Sequence, residues 1–296
     1  MCKLAGYFLT KKTVKISQEA KQKLESLLLA QSYGNEDATG VGFIENSSKF
    51  WTLKHNVGAD KFLSLPAYCE LMESHNPRAV IAHCRFKTHG DATNNQNNHP
   101  NFTKTGIITI HNGVFTNHDE LFKQYQLSRD AEVDSEIVGK LVEKFIHDGK
   151  NTQEAIQETS KLVRGSMALA LLNTAEPDTL YLIRRENMLS IALDRDSGVV
   201  YFATTEDALK QALIQSETVL GFFHRTVNAS KIIIRDVPVG HGLKITKNNI
   251  SPFAVDSPPW ANQWAGEKNW NSAKLYCLTC GCLWAGGKCV HTYDEV

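Results

Sequence analysis

The second residue of the chain is a cysteine, and its position can give it two reactive groups at once. Removal of Met1, which a side chain as small as cysteine permits, would leave Cys2 with a thiol and a free α-amine. An α-amine titrates near pH ~7.7–8.0 and a free thiol near ~8.5, so the amine can accept the thiol proton at neutral pH. The resulting thiolate is a nucleophile toward acyl carbon. Cys2 is therefore a candidate catalytic residue.

A second group of polar residues lies around two predicted strands in the first half of the chain. Residues 83–90 read His-Cys-Arg-Phe-Lys-Thr-His-Gly, residues 97–100 read Asn-Asn-His-Pro, and residues 111–113 read His-Asn-Gly. The first of these segments follows a predicted strand at 79–82, and the last ends a predicted strand at 106–110. The loop between the two strands is polar, which is typical of a binding site supported by rigid strands.

Several side chains in and near these segments suit the binding of charged groups and of a reacting carbonyl. The guanidinium of Arg85 presents a fork that matches a carboxylate. Asn112 and the backbone N–H of Gly113 form a candidate oxyanion hole, since glycine allows close approach. Asp134, just before a predicted helix through Ile137, could hold an ammonium group or cap that helix. With Cys2, these residues make a candidate site.

The order of these motifs resembles a known family. Cys2, then His-x-Arg-x-x-Thr-His-Gly, Asn-x-His-Pro, His-Asn-Gly and an acidic residue follow one another as in the glutaminase domain of class II glutamine amidotransferases. This is the N-terminal nucleophile type seen in glucosamine-6-phosphate synthase. The resemblance spans about residues 2–215, because residues 165–170 and 202–205 also resemble family segments.

The resemblance implies a four-layer αββα sandwich and a set of residue roles. Cys2 would attack the side-chain amide of glutamine, releasing ammonia and leaving a γ-glutamyl thioester for water. Arg85 would bind the α-carboxylate, Asp134 the α-ammonium, and Asn112 with Gly113 the oxyanion. The pocket would be lined by Thr88, His89 and Gly90, and His99 would shape the loop. No cofactor is implied for this activity.

The chain departs from the family pattern at two places. Lys3 follows the nucleophile where the family often has glycine, and Phe86-Lys87 follows the arginine where the family often has Trp-Ala. Lys3 is similar to the start of stand-alone members that hydrolyse γ-glutamyl compounds. Three functions therefore stay open: a glutaminase that supplies ammonia to an acceptor on a synthase or other acceptor-binding partner, a γ-glutamyl amide hydrolase without ammonia transfer, and an inactive relative that binds a ligand or partner.

Other residues of the same segments have plain structural interpretations. His83 and His111, at strand ends, are typical of histidines that satisfy hydrogen bonds. Cys84 points away from the face of Arg85 by strand alternation, which indicates a structural role. Cys69 lies on a predicted apolar helix at 63–72 and indicates packing.

The end of the chain is rich in cysteine and tryptophan. Its four cysteines and His291 lie within fifteen residues and suffice for one tetrahedral zinc site, although unpaired reduced thiols or a disulfide fit the same pattern. The predicted ligands are Cys277, Cys280, Cys282 and Cys289. Three prolines at 252–259 mark a composition break, so we expect a core domain at 2–250 and a small appendage at 251–296 that binds zinc or docks a partner.

The composition limits the kind of partner and location. Lys plus Arg number 32 and Asp plus Glu number 32, so no overall basic charge exists to hold nucleic acid or an anionic membrane. No stretch approaches 18 apolar residues, and the first residues lack a signal-peptide pattern. We expect a cytoplasmic protein without nucleic-acid or membrane partners.

Hydrophobic periodicity predicts strands, then helices, then strands. We expect a helix at 17–30 capped by Ser17, helices through Ile137 and at 152–162, and strands at 4–9, 41–44, 50–53, 168–172, 179–183, 189–193, 199–203, 220–223, 231–235 and 242–245. This order, with few βαβ alternations, indicates an α+β class with layered, mostly antiparallel sheets.

Overall fold

The computed structural model describes residues 2–46, 49–86, 90–214 and 231–255, and the backbone of three short strands between residues 275 and 289. Those three strands, β14 (Leu275–Tyr276), β15 (Leu283–Ala285) and β16 (Lys288–Cys289), pair antiparallel. The predicted strand at 220–223 lies outside the described residues, as do Cys277, Cys280, Cys282 and His291, and only the backbone of Cys289 is described. The zinc site and the appendage therefore stay predictions.

Two larger sheets form the middle of the molecule. The first contains β1 (Lys3–Leu9), β2 (Ala38–Asn46), β3 (Lys49–His55), β4 (Ala79–Arg85), β9 (Ser190–Asp194), β10 (Val199–Ala203) and β11 (Ile232–Asp236). Its strand order is β11-β9-β10-β1-β4-β2-β3, and neighbours pair antiparallel. β1 thus lies at the centre, with β4 on one side.

The second sheet contains β5 (Asn101–Phe102), β6 (Ile107–Phe115), β7 (Gly165–Asn173), β8 (Thr179–Arg184), β12 (His241–Thr246) and β13 (Ile250–Ala254). Its order is β13-β12-β8-β7-β6-β5, again antiparallel between neighbours. β13 runs past residue 250, so the described part of this sheet extends four residues beyond the predicted end of the core domain.

Helices cover the outer face of each sheet. They are α1 (Val14–Ser32), α2 (Ala59–Leu63), α3 (Pro66–Ser74), α4 (His118–Gln124), α5 (Glu136–His147), α6 (Thr152–Leu162) and α7 (Glu206–Leu213). One apolar cluster joins the first sheet to α1, α2, α3 and α7, and another joins the second sheet to α4, α5 and α6. A third cluster lies between the two sheets. The order of layers is αββα, which confirms the predicted fold class.

Strand alternation decides which residues of β4 face which layer. Val80, Ala82 and Cys84 pack in the cluster that faces the helices, while Ala79 and Ile81 pack between the sheets. Cys84 is buried on the side away from Arg85, as the alternation predicts. Cys69, on α3, is an exposed free cysteine.

The first helix begins earlier than its periodicity predicts. Thr13 is the N-cap of α1, and its hydroxyl accepts a hydrogen bond from Ile16 N at 3.2 Å. The predicted cap at Ser17 is therefore wrong, because the helix begins at Val14 and the buried Ser17 lies in its second turn. The exposed Val14 and Lys15 carry no apolar periodicity that would have extended the prediction.

None of the helices in the described part of the chain is long and apolar enough to cross a membrane.

Candidate active site

Cys2 lies at the point where β1 begins beside the end of β4. Lys3 pairs with Cys84 in the antiparallel ladder, so the residue before β1 meets the residues that follow β4. Phe86 N donates to Cys2 Sγ at 3.4 Å, and Sγ donates to Phe86 O at 3.3 Å. Burial raises the pKa of the Cys2 thiol, and Asp134 raises it further, while the Phe86 amide and the charge of Arg85 lower it.

The backbone just after Cys2 is fixed by two buried polar side chains. Leu4 N donates to Thr204 Oγ1 at 2.7 Å, and Thr204 N donates to Leu4 O at 3.0 Å. Gln31, in the last turn of α1, donates to Leu4 O at 3.1 Å and accepts from Thr204 N at 3.1 Å. Gln31 was not predicted as a site residue, since a glutamine at the end of a helix gives no local signal of its distant partners.

Arg85 ends β4, and its guanidinium is oriented by a neighbouring loop. Nη1 donates to Asn98 Oδ1 at 2.6 Å, and Nη2 donates to Gly90 O at 3.0 Å. Burial lowers the pKa of Arg85, and the negative charges around it, including Asp134, act in the opposite direction. Arg85 and Asp134 thus lie close enough to Cys2 to influence its thiol electrostatically.

The loop that orients Arg85 is itself held from two sides. Asn98 Nδ2 donates to Ala92 O at 2.8 Å and to Asn95 Oδ1 at 2.9 Å. From β3, Lys54 Nζ donates to Asn98 O at 2.7 Å and to Pro100 O at 3.1 Å. Burial lowers the pKa of Lys54 to about 8. Lys54 was not predicted as a site residue, because its contacts depend on how the loop passes over β2 and β3.

Three buried histidines lie next to this loop, and the ring of one of them connects the two sheets. His83 Nε2 and the His111 carbonyl lie 3.1 Å apart, and His111 Nε2 lies 3.2 Å from Ser166 O. The rings of His83 and His99 lie 4.3 Å apart between centroids. Burial lowers the pKa of His83 to about 3 and lowers the pKa values of His99 and His111. The histidines are therefore neutral near pH 7. The bond from His83 to the His111 carbonyl links β4 to β6, whereas the ring nitrogens of His99 have no hydrogen-bond partner among the described residues.

Asn112 and Gly113 follow His111 near the end of β6. Asn112 is 1% exposed, and among the described residues its side-chain nitrogen and oxygen have no hydrogen-bond partner. Gly113 has φ of +150°, and a Cβ built there would lie 2.0 Å from Ser166 O, so only glycine fits. A buried amide without protein partners is unusual and suits contact with a ligand.

Asp134 lies two residues before α5 and does not cap it. Ser135 is the N-cap residue, without a side-chain cap bond, and Asp134 Oδ2 instead accepts from Phe115 N at 2.6 Å. The buried carboxylate is thereby held against the end of β6. Of the two roles that its sequence position suggested, capping is excluded, and ammonium binding stays a prediction.

The structure brings most of the predicted site residues to one end of the sandwich. Cys2, Arg85 and Gly90 lie around the end of β4, and Asn112, Gly113 and Asp134 lie around the end of β6. The bond between His83 and the His111 carbonyl joins these two strand ends. Thr88 and His89 lie outside the described residues, and their pocket roles stay predictions.

Comparison with known proteins identifies the domain. Residues 83–211 match the family model described as a glutamine amidotransferase domain. Glutamine–fructose-6-phosphate aminotransferase (isomerizing) of Staphylococcus aureus strain Mu50 is 29% identical over 241 residues, which cover 80% of this chain and 37% of the relative. The enzyme of the same name from Geobacillus kaustophilus is 28% identical over 207 residues, covering 68% and 32%. The chain thus matches about a third of the length of these relatives.

Solved structures share the fold. The glutamine phosphoribosylpyrophosphate amidotransferase of B. subtilis, complexed with ADP and GMP, superimposes with a TM-score of 0.64 at 15% identity, covering 86% of this chain and 49% of that one. The allosteric regulatory enzyme of purine biosynthesis gives a TM-score of 0.64 at 14% identity, covering 94% and 54%. The chain therefore contains a glutamine amidotransferase domain, and its motifs and αββα layers resemble those of class II enzymes of the N-terminal nucleophile type.

Proposed function

We propose that the chain hydrolyses the side-chain amide of glutamine with Cys2 as the nucleophile and delivers the ammonia to an acceptor held by a partner protein. The observation that carries this proposal is the meeting of Cys2, Arg85 and Asp134, which come from three distant parts of the chain. Phe86, the residue after Arg85, donates to Cys2 Sγ, and Asp134 is held at the end of β6, which His83 joins to the end of β4. A nucleophile beside one cationic and one anionic group matches a substrate that has an amide, a carboxylate and an ammonium group.

In the proposed reaction the α-amine of Cys2, free after removal of Met1, takes the thiol proton. The thiolate forms a bond to the amide carbon, and the carbonyl oxygen becomes an oxyanion near Asn112 and the Gly113 N–H. The carbon–nitrogen bond then breaks as the amine proton passes to the leaving nitrogen, which departs as ammonia. Water attacks the γ-glutamyl thioester, giving glutamate and the free thiol.

The charges of the site are complementary to those of the proposed substrate. Arg85 would bind the α-carboxylate and Asp134 the α-ammonium, while Thr88, His89 and Gly90 would line the pocket. The burial of both charged groups near Cys2 supports these roles, because charges in a site of low dielectric interact more strongly with a charged substrate than charges in water do.

The acceptor and its protein are part of the proposal. The matched relatives are about three times as long as the region that they share with this chain. We propose that a second polypeptide holds the acceptor, and that residues 251–296 either dock this polypeptide or bind zinc.

The location, the domain division and the zinc site also stay predictions of the sequence. We expect a cytoplasmic protein that divides into residues 2–250 and 251–296. Metal analysis of the purified protein would test the zinc site.

One observation favours a second function. Lys3 directly follows the proposed nucleophile, as in family members that hydrolyse γ-glutamyl compounds other than glutamine. In that case the protein would turn over a γ-glutamyl amide rapidly without a partner, whereas a glutaminase coupled to an acceptor is expected to be slow alone.

Intact mass spectrometry with a diazoketone analogue of glutamine tests the nucleophile. We expect a mass without Met1 and a single adduct in the wild-type protein, because the analogue alkylates the thiol that attacks the glutamine amide. Cys2→Ala should form no adduct. Cys69→Ala is the matched control, since it removes an exposed free cysteine and should keep the adduct.

Retention of Met1 together with the absence of an adduct would contradict the proposal and would favour an inactive relative that binds a ligand. An adduct with no turnover of glutamine, but with turnover of another γ-glutamyl amide, would favour the second function.

A further inference from the structure

Asn187 lies in the turn between β8 and β9, and its side chain contacts the backbone of the proposed oxyanion hole. Its side-chain Nδ2 donates to Asn112 O at 2.8 Å and to Ser166 Oγ at 3.3 Å. Asn187 is half-buried and belongs to neither of the two strands that carry the site. Its side chain is the link between this turn and the peptide that joins Asn112 to Gly113.

Because a peptide bond is planar, the contact with Asn112 O also affects the N–H of Gly113. The carbonyl of Asn112 and the N–H of Gly113 belong to one planar trans unit and point in opposite directions. A donor that holds the Asn112 oxygen therefore also sets the direction of the Gly113 N–H. Gly113 has a backbone conformation that other residues rarely adopt, so the direction of this peptide differs from that in an ordinary strand.

The turn that carries Asn187 is itself firmly anchored. Arg185 Nη1 donates to Val163 O at 2.9 Å, and Nη2 donates to Gly165 O at 3.0 Å and to Glu186 Oε1 at 3.1 Å. The other oxygen of Glu186 accepts from Met167 N at 3.0 Å. Arg185 and Glu186 have side chains that are only 6% and 7% exposed, so Asn187 is presented from a rigid support.

We propose that Asn187 is a positioning residue that aims the Gly113 N–H at the oxyanion formed during amide hydrolysis. This inference rests on the proposed function, because it concerns the same reaction. Asn187 touches no reacting atom and acts through the Asn112–Gly113 peptide. Its contribution is expected in the transition state, where the oxygen carries charge, and not in the binding of ground-state glutamine.

The test compares Asn187→Asp with the wild-type full-length chain. The substitution keeps the shape of the side chain but replaces the donor with an oxygen that repels the Asn112 carbonyl. We expect kcat for glutamine to fall ~10- to 100-fold, less than the ~10²- to 10³-fold loss when an oxyanion donor is removed outright, with KM changed less than about threefold. Asn187→Ala, which removes the donor without adding charge, provides a second variant if Asn187→Asp does not fold.

A transition-state mimic separates positioning from a general structural role. The γ-aldehyde analogue of glutamine adds the Cys2 thiol at its carbonyl carbon, so that a sulfur–carbon bond forms and the former carbonyl oxygen occupies the oxyanion position. We expect its inhibition constant to rise ~10-fold or more in the variants, while that of glutamate, which forms no tetrahedral adduct with the thiol, stays within about threefold. Met188→Ala, in the same turn with an exposed side chain, should leave both constants and kcat unchanged.

The outcomes distinguish the inference from the function on which it rests. An active wild-type enzyme with unchanged kcat and aldehyde inhibition in the Asn187 variants overturns the inference and leaves the proposed function standing. Equal losses of aldehyde and glutamate affinity, with a lower Tm, also overturn it, since they indicate a structural role only. A wild-type protein that neither hydrolyses glutamine nor binds the aldehyde overturns the proposed function itself.

Discussion

At the scale of single residues, Arg85 combines burial with orientation by neutral groups. The Asn98 amide oxygen and the Gly90 carbonyl, both uncharged, accept hydrogen bonds from it. These acceptors help to fix the plane of the guanidinium, which suits bidentate binding of a carboxylate. The planar fork is a property of arginine that lysine lacks, although both residues carry a positive charge.

Replacement of Arg85 with lysine tests this role. Hydrogen bonds to charged groups contribute about 1.5–3 kcal/mol, so we expect KM for glutamine to rise ~10- to 100-fold in Arg85→Lys, with a smaller change in kcat. Steady-state kinetics measure the effect. Arg235→Lys, an exposed substitution on β11, is the control and should keep the wild-type KM. An unchanged KM in Arg85→Lys would exclude Arg85 as the carboxylate-binding residue.

At the scale of elements, the position of Cys2 depends on where three elements meet. The start of β1, the last turn of α1 and the residue after β10 are joined by the hydrogen bonds among Leu4, Gln31 and Thr204. All three residues are buried, so each of these polar groups provides a hydrogen-bond partner for another group that water does not reach. This arrangement fixes the chain two residues away from the proposed nucleophile.

Replacement of Thr204 with valine tests the arrangement. The substitution keeps the side-chain shape but leaves Leu4 N buried without its acceptor, so we expect the free energy of unfolding to fall by about 1–3 kcal/mol. Alkylation of Cys2 by the diazoketone should also become slower, because the thiol is held less firmly. Thr204→Ser keeps the hydroxyl and is expected to retain the alkylation rate. If Thr204→Val is alkylated at the wild-type rate, the bond contributes to stability alone.

At the scale of the whole molecule, three neutral histidines lie inside the αββα sandwich. His83, His99 and His111 are each less than 10% exposed, and burial lowers the pKa of every one of them. In the unfolded chain the pKa of a histidine is near ~6.5, so the unfolded state takes up protons below that pH while the folded state does not. Stability is therefore full above about pH 6.5 and decreases as the pH falls.

Acid titration of stability measures this effect. For His83, with a folded-state pKa of about 3, linkage predicts a loss of roughly 2 kcal/mol in the free energy of unfolding between pH 7 and pH 5. His83→Gln, which retains a donor, should show a correspondingly smaller loss over that range in denaturant titrations. His147→Gln, at a side chain that is 90% exposed, should follow the wild type. Identical pH dependence in His83→Gln and the wild type would show that His83 does not contribute.

Residue types and apolar periodicity were sufficient to predict most of the strands, several of the helices and the residues that could do chemistry. Apolar runs predicted most of the strands because both faces of each sheet are covered, as in β1 and β4. The motifs at 83–90, 97–100 and 111–113 predicted a site because their residue types and order are specific to one family. Periodicity missed the short helices α4 and α7 and the strands β5 and β13. It also missed the first turn of α1 and its cap at Thr13, since that turn is largely exposed.

Only the tertiary structure decided which groups hold the site together. The antiparallel pairing of β1 with β4 places Cys2 against Phe86, and the position of β6 gives Asp134 its partner at Phe115 N. Tertiary contacts also define the roles of Gln31, Lys54 and Asn187. The side chain of each one donates a hydrogen bond to a backbone carbonyl of a distant segment. Every residue type has such a carbonyl, so the residue type of the acceptor gives no signal. Such a contact leaves no local pattern in the sequence, because it depends on strand pairing and loop path.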